Sequence, residues 1–203
     1  MGHQFGANHT FNGDACFQWN DSTAYEPGSG STIMSYSGTL GFCGDQELQP
    51  NRDRYFHSVS IDEIITNTTV GSGSTCPVVT ETGNSPPVTS VPLGGFTIPV
   101  STPFKLLGAA TDPEWDTLTY CWEEFDLGDR SPPNCASCDA PIFRSFEPTP
   151  NPSRTVPQLS DILNNTETIG EVLPNISRDL NFRLTVRDNR IGGGGIDYQN
   201  LSF

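Results

Sequence analysis

Alternating apolar and polar positions are concentrated in the second half of the chain. Residues 104–109, 118–124 and 180–186 place an apolar residue at about every second position. Because the side chains of a strand point alternately to its two faces, this period of two predicts β-strands. Residues 196–203 resemble the beginning of a further, closing strand. Short strands between turn-rich loops favour a β-sandwich.

The first third of the chain shows little periodicity of either kind. Residues 10–33 are rich in Gly, Asn, Asp and Ser, which indicates a long loop. Ser60 and Glu63 form an S-x-x-E capping box, so we predict a short helix over 61–66. We interpret His57 as a packing or hydrogen-bonding residue at the start of that helix.

A break in composition separates these two parts. From about residue 71 to residue 87, Gly, Ser, Thr and Pro dominate, and such a stretch forms little regular structure. We therefore predict one domain at 1–76, a linker at 77–87 and a second, all-β domain at 88–203.

Charge and cysteine content narrow the class of protein. The 203 residues carry a net charge of −14, which argues against nucleic acid and anionic membrane surfaces as partners. Apolar runs of membrane-spanning length do not occur. The six cysteines indicate an oxidising compartment with disulfides. We therefore expect a secreted or extracellular protein, and a monomer.

Cysteine pairing stays open at the level of sequence. Cys16 and Cys43 could tie the irregular first part together, although a partner outside the chain is an alternative. Cys135 and Cys138 form C-x-x-C, which together with Cys121 could suggest zinc. A disulfide is favoured, because a structural zinc site needs a fourth ligand and the compartment is predicted to be oxidising.

The candidate chemistry lies at the start of the chain, where His3, Gly6 and His9 form H-x-x-G-x-x-H. Imidazole is the commonest protein ligand of zinc, and a catalytic zinc takes three protein ligands and a water. We expect His3 on the last turn of a helix. Gly6 can leave that helix with positive φ, and the chain can then return His9 to the same metal.

These residues resemble the second half of the metzincin zinc-peptidase signature, H-E-x-x-H-x-x-G-x-x-H. The segment S-T-I-M-S-Y around Met34 is similar to the methionine turn of that family. The sequence surrounding the two motifs is most similar to the reprolysin-like branch. The resemblance implies zinc held by His3 and His9, with Met34 as a polarisable floor below the imidazoles. It also implies that Tyr36 lines the substrate pocket or supports the oxyanion.

The pattern departs from the family at one point. The H-E pair, which supplies the first zinc ligand and the general base, would stand before Met1 and is not among these residues. We therefore interpret the chain as an N-terminally truncated peptidase fragment that is inactive as written. The predicted fold is mixed, with the C-terminal remnant of an α/β metzincin catalytic domain ahead of an all-β sandwich.

Residues 86–203 resemble immunoglobulin-like or cadherin-like modules of secreted bacterial proteins, in which an acidic turn precedes a strand with a buried Trp. Asp112, Glu114 and Asp116 in that turn are candidate calcium ligands, since calcium prefers carboxylate oxygens. The alternative is that these acids stabilise the turn locally.

The sequence leaves two candidate functions as alternatives. The first is a zinc-dependent endopeptidase that acts on protein or peptide substrates. The second is a non-catalytic extracellular adhesion or binding module, in which the sandwich is the functional unit.

Overall fold

The structure is a computed structural model that describes residues 1–39 and 41–203. Strands are the main regular elements of this part of the chain, and helices are few. The two α-helices are α1 (Ser58–Thr69) and α2 (Leu159–Asn164), and short 3-10 helices span Gly2–Phe5, Gly44–Gln46 and Ser72–Thr75. The strands are β1 (Val88–Ser90), β2 (Phe104–Leu106), β3 (Ala109–Thr111), β4 (Thr119–Glu124), β5 (Arg154–Val156), β6 (Asn181–Arg187) and β7 (Ile196–Ser202).

The strands pair antiparallel in three small sheets. The largest has the order β4-β6-β7, while β1 pairs with β3 and β2 pairs with β5. The expected strands at 104–109, 118–124, 180–186 and 196–203 correspond to β2, β4, β6 and β7. The sequence patterns did not predict β1, β3 and β5, each only three residues long. The arrangement is compatible with a sandwich.

The alternating apolar residues of β4 and β6 form the centre of the main core. Leu180, Phe182, Leu184 and Val186 are all buried, as is Trp122 on the neighbouring strand. The core is completed by side chains from β2, β5, β7 and the loops, namely Leu106, Ile142, Phe143, Val156 and Leu201. The period of two therefore identified the apolar face of this sheet correctly.

The opposite face of the same sheet is also buried. Thr185 is fully buried and Arg183 is 6% exposed, although both occupy the polar positions of β6. The first segment covers this face. Arg183 donates to Asp62 of α1 at 2.7 Å, and its guanidinium carbon lies 3.6 Å from the ring centre of Phe125. The ring of Tyr25 stacks on the same Phe125 at 4.1 Å.

Helix α1 begins three residues earlier than predicted, and the predicted capping box is wrong. His57 is the N-cap, and its Nδ1 accepts the N–H of Val59. Ser60 consequently lies inside the first turn, where its hydroxyl has no hydrogen-bond partner in the described structure. The carboxylate of Glu63 is engaged elsewhere, by Asn8. The expectation for His57 is confirmed.

Many contacts join the first and second segments. Arg130 donates to the carbonyls of Asp14 and Cys16, and the Tyr55 hydroxyl donates to the Ser145 hydroxyl at 2.6 Å. The division into 1–76, 77–87 and 88–203 stays a prediction. These contacts show that the two segments pack against each other along a polar, largely buried boundary.

Two disulfides occur among the described residues, Cys16–Cys43 and Cys135–Cys138. The favoured interpretation of the C-x-x-C motif is thereby confirmed, and Cys16 has its partner within the chain. In the same part of the chain, the thiols of Cys76 and Cys121 are free. No helix formed by residues 1–39 or 41–203 combines the length and the hydropathy needed to span a bilayer.

Candidate metal centre

His3 lies on a short 3-10 helix that ends at Gly6. This glycine is left-handed, with φ of 91°, and its N–H reaches back to the carbonyl of His3. Such a conformation is costly for residues with a Cβ, which explains the glycine. The chain reverses here, and His9 returns towards His3, as the motif predicts.

The two imidazoles lie close together, and each makes the same kind of Nδ1 contact with a backbone carbonyl. Their ring centroids are 4.6 Å apart, in an edge-to-face arrangement. His3 Nδ1 is 2.8 Å from the carbonyl oxygen of Ala7, and His9 Nδ1 is 3.0 Å from that of Met34. A carbonyl oxygen only accepts hydrogen bonds, so each Nδ1 carries a proton, and in the neutral imidazole Nε2 then keeps its lone pair. This is the tautomer that ligates a metal through Nε2.

The surroundings of His9 favour its neutral form. Burial lowers the pKa of His9, and the hydrogen bond to the Met34 carbonyl only partly opposes this effect. The imidazole also contacts the ring of Tyr36, with centroids 4.5 Å apart. A neutral imidazole is required for metal binding, because the protonated ring has no free lone pair.

Met34 is buried beneath the first helix, 4% exposed. A Cβ placed at Gly2 would overlap the Met34 sulfur, so the glycine allows the 3-10 helix to rest on the methionine. The contact from Met34 to His9 is made by the backbone carbonyl. The role of the Met34 side chain as a floor below the imidazoles stays a prediction.

Tyr36 belongs to a buried aromatic cluster. Its ring stacks on Phe11 with centroids 4.4 Å apart, and its hydroxyl donates to the side chain of Gln18. Burial raises the pKa of the Tyr36 phenol, which therefore stays protonated at neutral pH. The structure thus places Tyr36 beside His9. Its assignment to the substrate pocket stays a prediction.

Sequence patterns missed two acids that support this site. Glu63 of α1 accepts the backbone N–H of Asn8 at 2.8 Å, so the helix holds the residue directly before His9. Glu26 is buried between the segment after His9 and the turn before Met34. A Glu in a loop gives no periodic or motif signal, and only the tertiary structure identifies it.

The histidine pair has no further ligand around it in the described structure. Residues 1–39 and 41–203 contain no group of three or more His, Cys, Asp or Glu side chains arranged to hold a metal. His57 is engaged at the start of α1, with its Nε2 4.0 Å from Glu123. The two residues present thus fit a zinc site as two of its three protein ligands.

The three candidate calcium ligands bind different partners. Asp112 accepts the N–H groups of Glu114 and Asp116 and so stabilises the turn. Glu114 accepts the Ser85 hydroxyl at 2.9 Å, and Asp116 pairs with Arg190 at 3.2 Å. In the described structure they do not converge on one point. The hydrogen bonds of Asp112 order the turn, and calcium binding by the three acids stays a prediction.

Comparison with known proteins agrees with the motif at the start of the chain. Residues 1–68 match a family model described as metallo-peptidase family M12B, reprolysin-like. The match covers both histidines, the Met34 turn and most of α1. Neither the curated proteins nor the solved structures compared with the chain gave a match. The first segment is therefore similar to the reprolysin-like metallopeptidases, and we conclude that it is related to them in origin.

Proposed function

We propose that residues 1–68 form the metal-binding part of a secreted, zinc-dependent endopeptidase, with His3 and His9 as two zinc ligands. The observation that carries the proposal is the matched pair of hydrogen bonds from Nδ1 to backbone carbonyls. They favour the tautomer in which Nε2 of each ring can bind a metal. The family match over the same residues supports the choice of zinc.

The residues of this chain supply binding and orientation. Zinc held at such a site lowers the pKa of a bound water and polarises a peptide carbonyl. His3 and His9 contribute neutral lone pairs, and the Met34 carbonyl holds the ring of His9 in place. Tyr36, packed against His9, is proposed to border the pocket for the substrate. The general-base glutamate of the family pattern has no counterpart among these residues, so the chain as given is expected not to cleave peptides.

We propose an immunoglobulin-like sandwich for residues 88–203, following a domain at 1–76 and a linker at 77–87. The support is the set of antiparallel sheets around one apolar core that includes Trp122. An extracellular location is proposed on the two disulfides, which persist in oxidising compartments. Protein or peptide substrates follow from the peptidase relationship.

The proposal can be tested with the chain extended at its N-terminus by a helix that ends in the His-Glu pair of the family pattern. We expect the extended protein to retain one zinc after dialysis, and His9→Ala to abolish this. His57→Asn is the matched control, since asparagine can still cap α1 and the zinc should remain. The unextended chain should bind zinc far more weakly, because two ligands do not complete the site.

Activity provides the second part of the test. The extended protein should hydrolyse denatured casein, and the same protein with the His-Glu pair changed to His-Gln should bind zinc without cleaving. Absence of both zinc and activity in the extended form would contradict the peptidase proposal. The non-catalytic binding module would then be the better interpretation.

A further inference from the structure

Glu26 is a buried acid between the two halves of the candidate metal site. Its side chain is 2% exposed, and its carboxylate accepts five hydrogen bonds. The donors are the hydroxyl of Thr10 and both the backbone N–H and the hydroxyl of Ser31 and of Thr32. Five convergent donors suit a carboxylate, because an ionised carboxylate only accepts hydrogen bonds.

The donors come from two separate stretches of the chain. Oε2 accepts the hydroxyls of Thr10 at 2.5 Å and Thr32 at 2.6 Å. Oε1 accepts the N–H of Ser31 at 2.8 Å and that of Thr32 at 3.1 Å. Thr10 directly follows His9, and Thr32 lies two residues before Met34. The carboxylate therefore joins the backbone beside the metal ligand to the turn that carries the Met34 carbonyl.

The main chain of Glu26 adds to this connection. Its N–H donates to the carbonyl of Thr10 at 2.8 Å, and its carbonyl accepts the N–H of Asn12 at 2.8 Å. Glu26 is thus fixed against the stretch after His9 by its backbone, and its side chain holds the turn. The 3.0 Å contact between Met34 O and His9 Nδ1 joins the same two parts of the chain that Glu26 connects.

We propose that Glu26 is a positioning residue for the metal site. It holds the Met34 carbonyl against His9 Nδ1 and thereby fixes the tautomer that leaves His9 Nε2 free for a ligand bond. The zinc part of this inference rests on the proposed function. The tautomer part concerns the protein without metal and can be tested separately.

Glu26→Gln is the informative substitution. An amide NH₂ would face hydroxyl and N–H donors, and a buried donor without an acceptor is unfavourable. The turn that contains Ser31 and Thr32 should then move away from Thr10, and His9 Nδ1 should lose its acceptor. Glu171→Gln is the matched control, because Glu171 is also buried and accepts hydrogen bonds from Arg154 and Gln158, outside the metal site.

The measurement is the 15N chemical shift of the imidazoles in the full, metal-free chain at one fixed pH of about 8, where histidine is neutral. The native protein and Glu171→Gln should show His9 with the proton on Nδ1. Glu26→Gln should shift His9 towards the Nε2–H tautomer and leave His57 unchanged. If Glu26→Gln does not fold, Thr32→Val removes one donor only and should shift His9 in the same direction by less.

Zinc binding separates this inference from the proposed function. In the extended protein, Glu26→Gln should weaken Zn²⁺ binding by about 10–100-fold, the usual effect of losing an outer-shell partner of a ligand. A native His9 tautomer in folded Glu26→Gln would overturn the inference, whatever zinc does. A shifted tautomer in a protein that binds no zinc would support the positioning role and contradict the proposed function alone.

Discussion

The carboxylate of Glu123 accepts the backbone N–H of Ser58 at 3.0 Å, although the two residues belong to different segments of the chain. Ser58 is the first residue of α1, and Glu123 lies on β4. The other carboxylate oxygen accepts the Thr185 hydroxyl at 2.6 Å. A negative charge near a helix N-terminus is favourable, so the sheet anchors α1 at the end that leads into the metal-binding segment.

This contact predicts that Glu123→Ala destabilises both segments. The substitution leaves the N–H of Ser58 and the hydroxyl of Thr185 without their acceptor, at about 1–3 kcal/mol for each buried donor. We expect a lower free energy of unfolding in urea. Hydrogen exchange should increase both in α1 and in β6. Glu81→Ala, at an exposed position, should leave both measurements unchanged. Faster exchange in β6 alone would show that the anchor does not hold α1.

Gly6→Ala tests the reversal between the two histidines. Alanine in the left-handed region costs about 1–2 kcal/mol, and a Cβ at Gly6 would also meet Asn67 at 3.1 Å. Gly83→Ala is the matched control, since Gly83 also has positive φ and a Cβ there meets nothing within 4 Å. We expect Gly6→Ala to be the more destabilising variant in thermal unfolding. Equal losses would show that the contact with α1 has no energetic role.

The two disulfides should differ in their contribution to stability. In the loop-entropy model, the 27-residue separation of Cys16 and Cys43 predicts about 3–4 kcal/mol, whereas the separation of 3 in Cys135–Cys138 predicts about half of that. Paired Cys→Ser variants should show this order in urea unfolding. The opposite order would indicate that the loop around Cys135 is stabilised mainly through the folded state.

The sequence predicted the apolar face of β6 and missed the burial of its polar face. Leu184 and Val186 follow the period of two that any half-buried strand shows. Thr185 and Arg183 are buried because α1, more than 100 positions earlier, covers them. No local pattern contains this information. Strands β1, β3 and β5 were missed for a different reason, since each has only three residues and lies largely outside the longer alternating stretches.

The candidate site, like β6, was predictable from the sequence only in part. The spacing of His3, Gly6 and His9 was sufficient to predict the turn and the approach of the two rings. The hydrogen bond from His9 to Met34 depends on how a distant loop folds, and Glu26, which holds that loop, has no sequence signature. The capping-box error has a similar origin, because His57 forms the cap and leaves Glu63 free to bind Asn8.

The last prediction concerns pH and a second buried acid, Glu124. Its Oε2 accepts the N–H groups of Ile142 and Phe143, each at 2.6 Å, while Arg178 lies 3.7 Å from Oε1. Burial, followed by the repulsion of Asp126, raises the pKa of Glu124 well above its usual value of 4.5. Burial likewise raises the pKa of Asp126.

A carboxyl whose pKa is higher in the folded protein binds more protons there than in the unfolded chain. The contribution of Glu124 to the free energy of unfolding is therefore fully present below pH 4.5 and falls as the pH rises towards the folded pKa. Glu124→Gln keeps a neutral acceptor for Ile142 and Phe143 and does not ionise. We expect this variant to gain stability relative to the native protein as the pH increases from about 4.5 to 7.

Urea unfolding between about pH 4.5 and pH 7 measures the difference, with the exposed Glu81→Gln as the control that should follow the native curve. A constant difference between Glu124→Gln and the native protein would contradict the raised pKa, because only a group that titrates differently in the two states makes stability depend on pH.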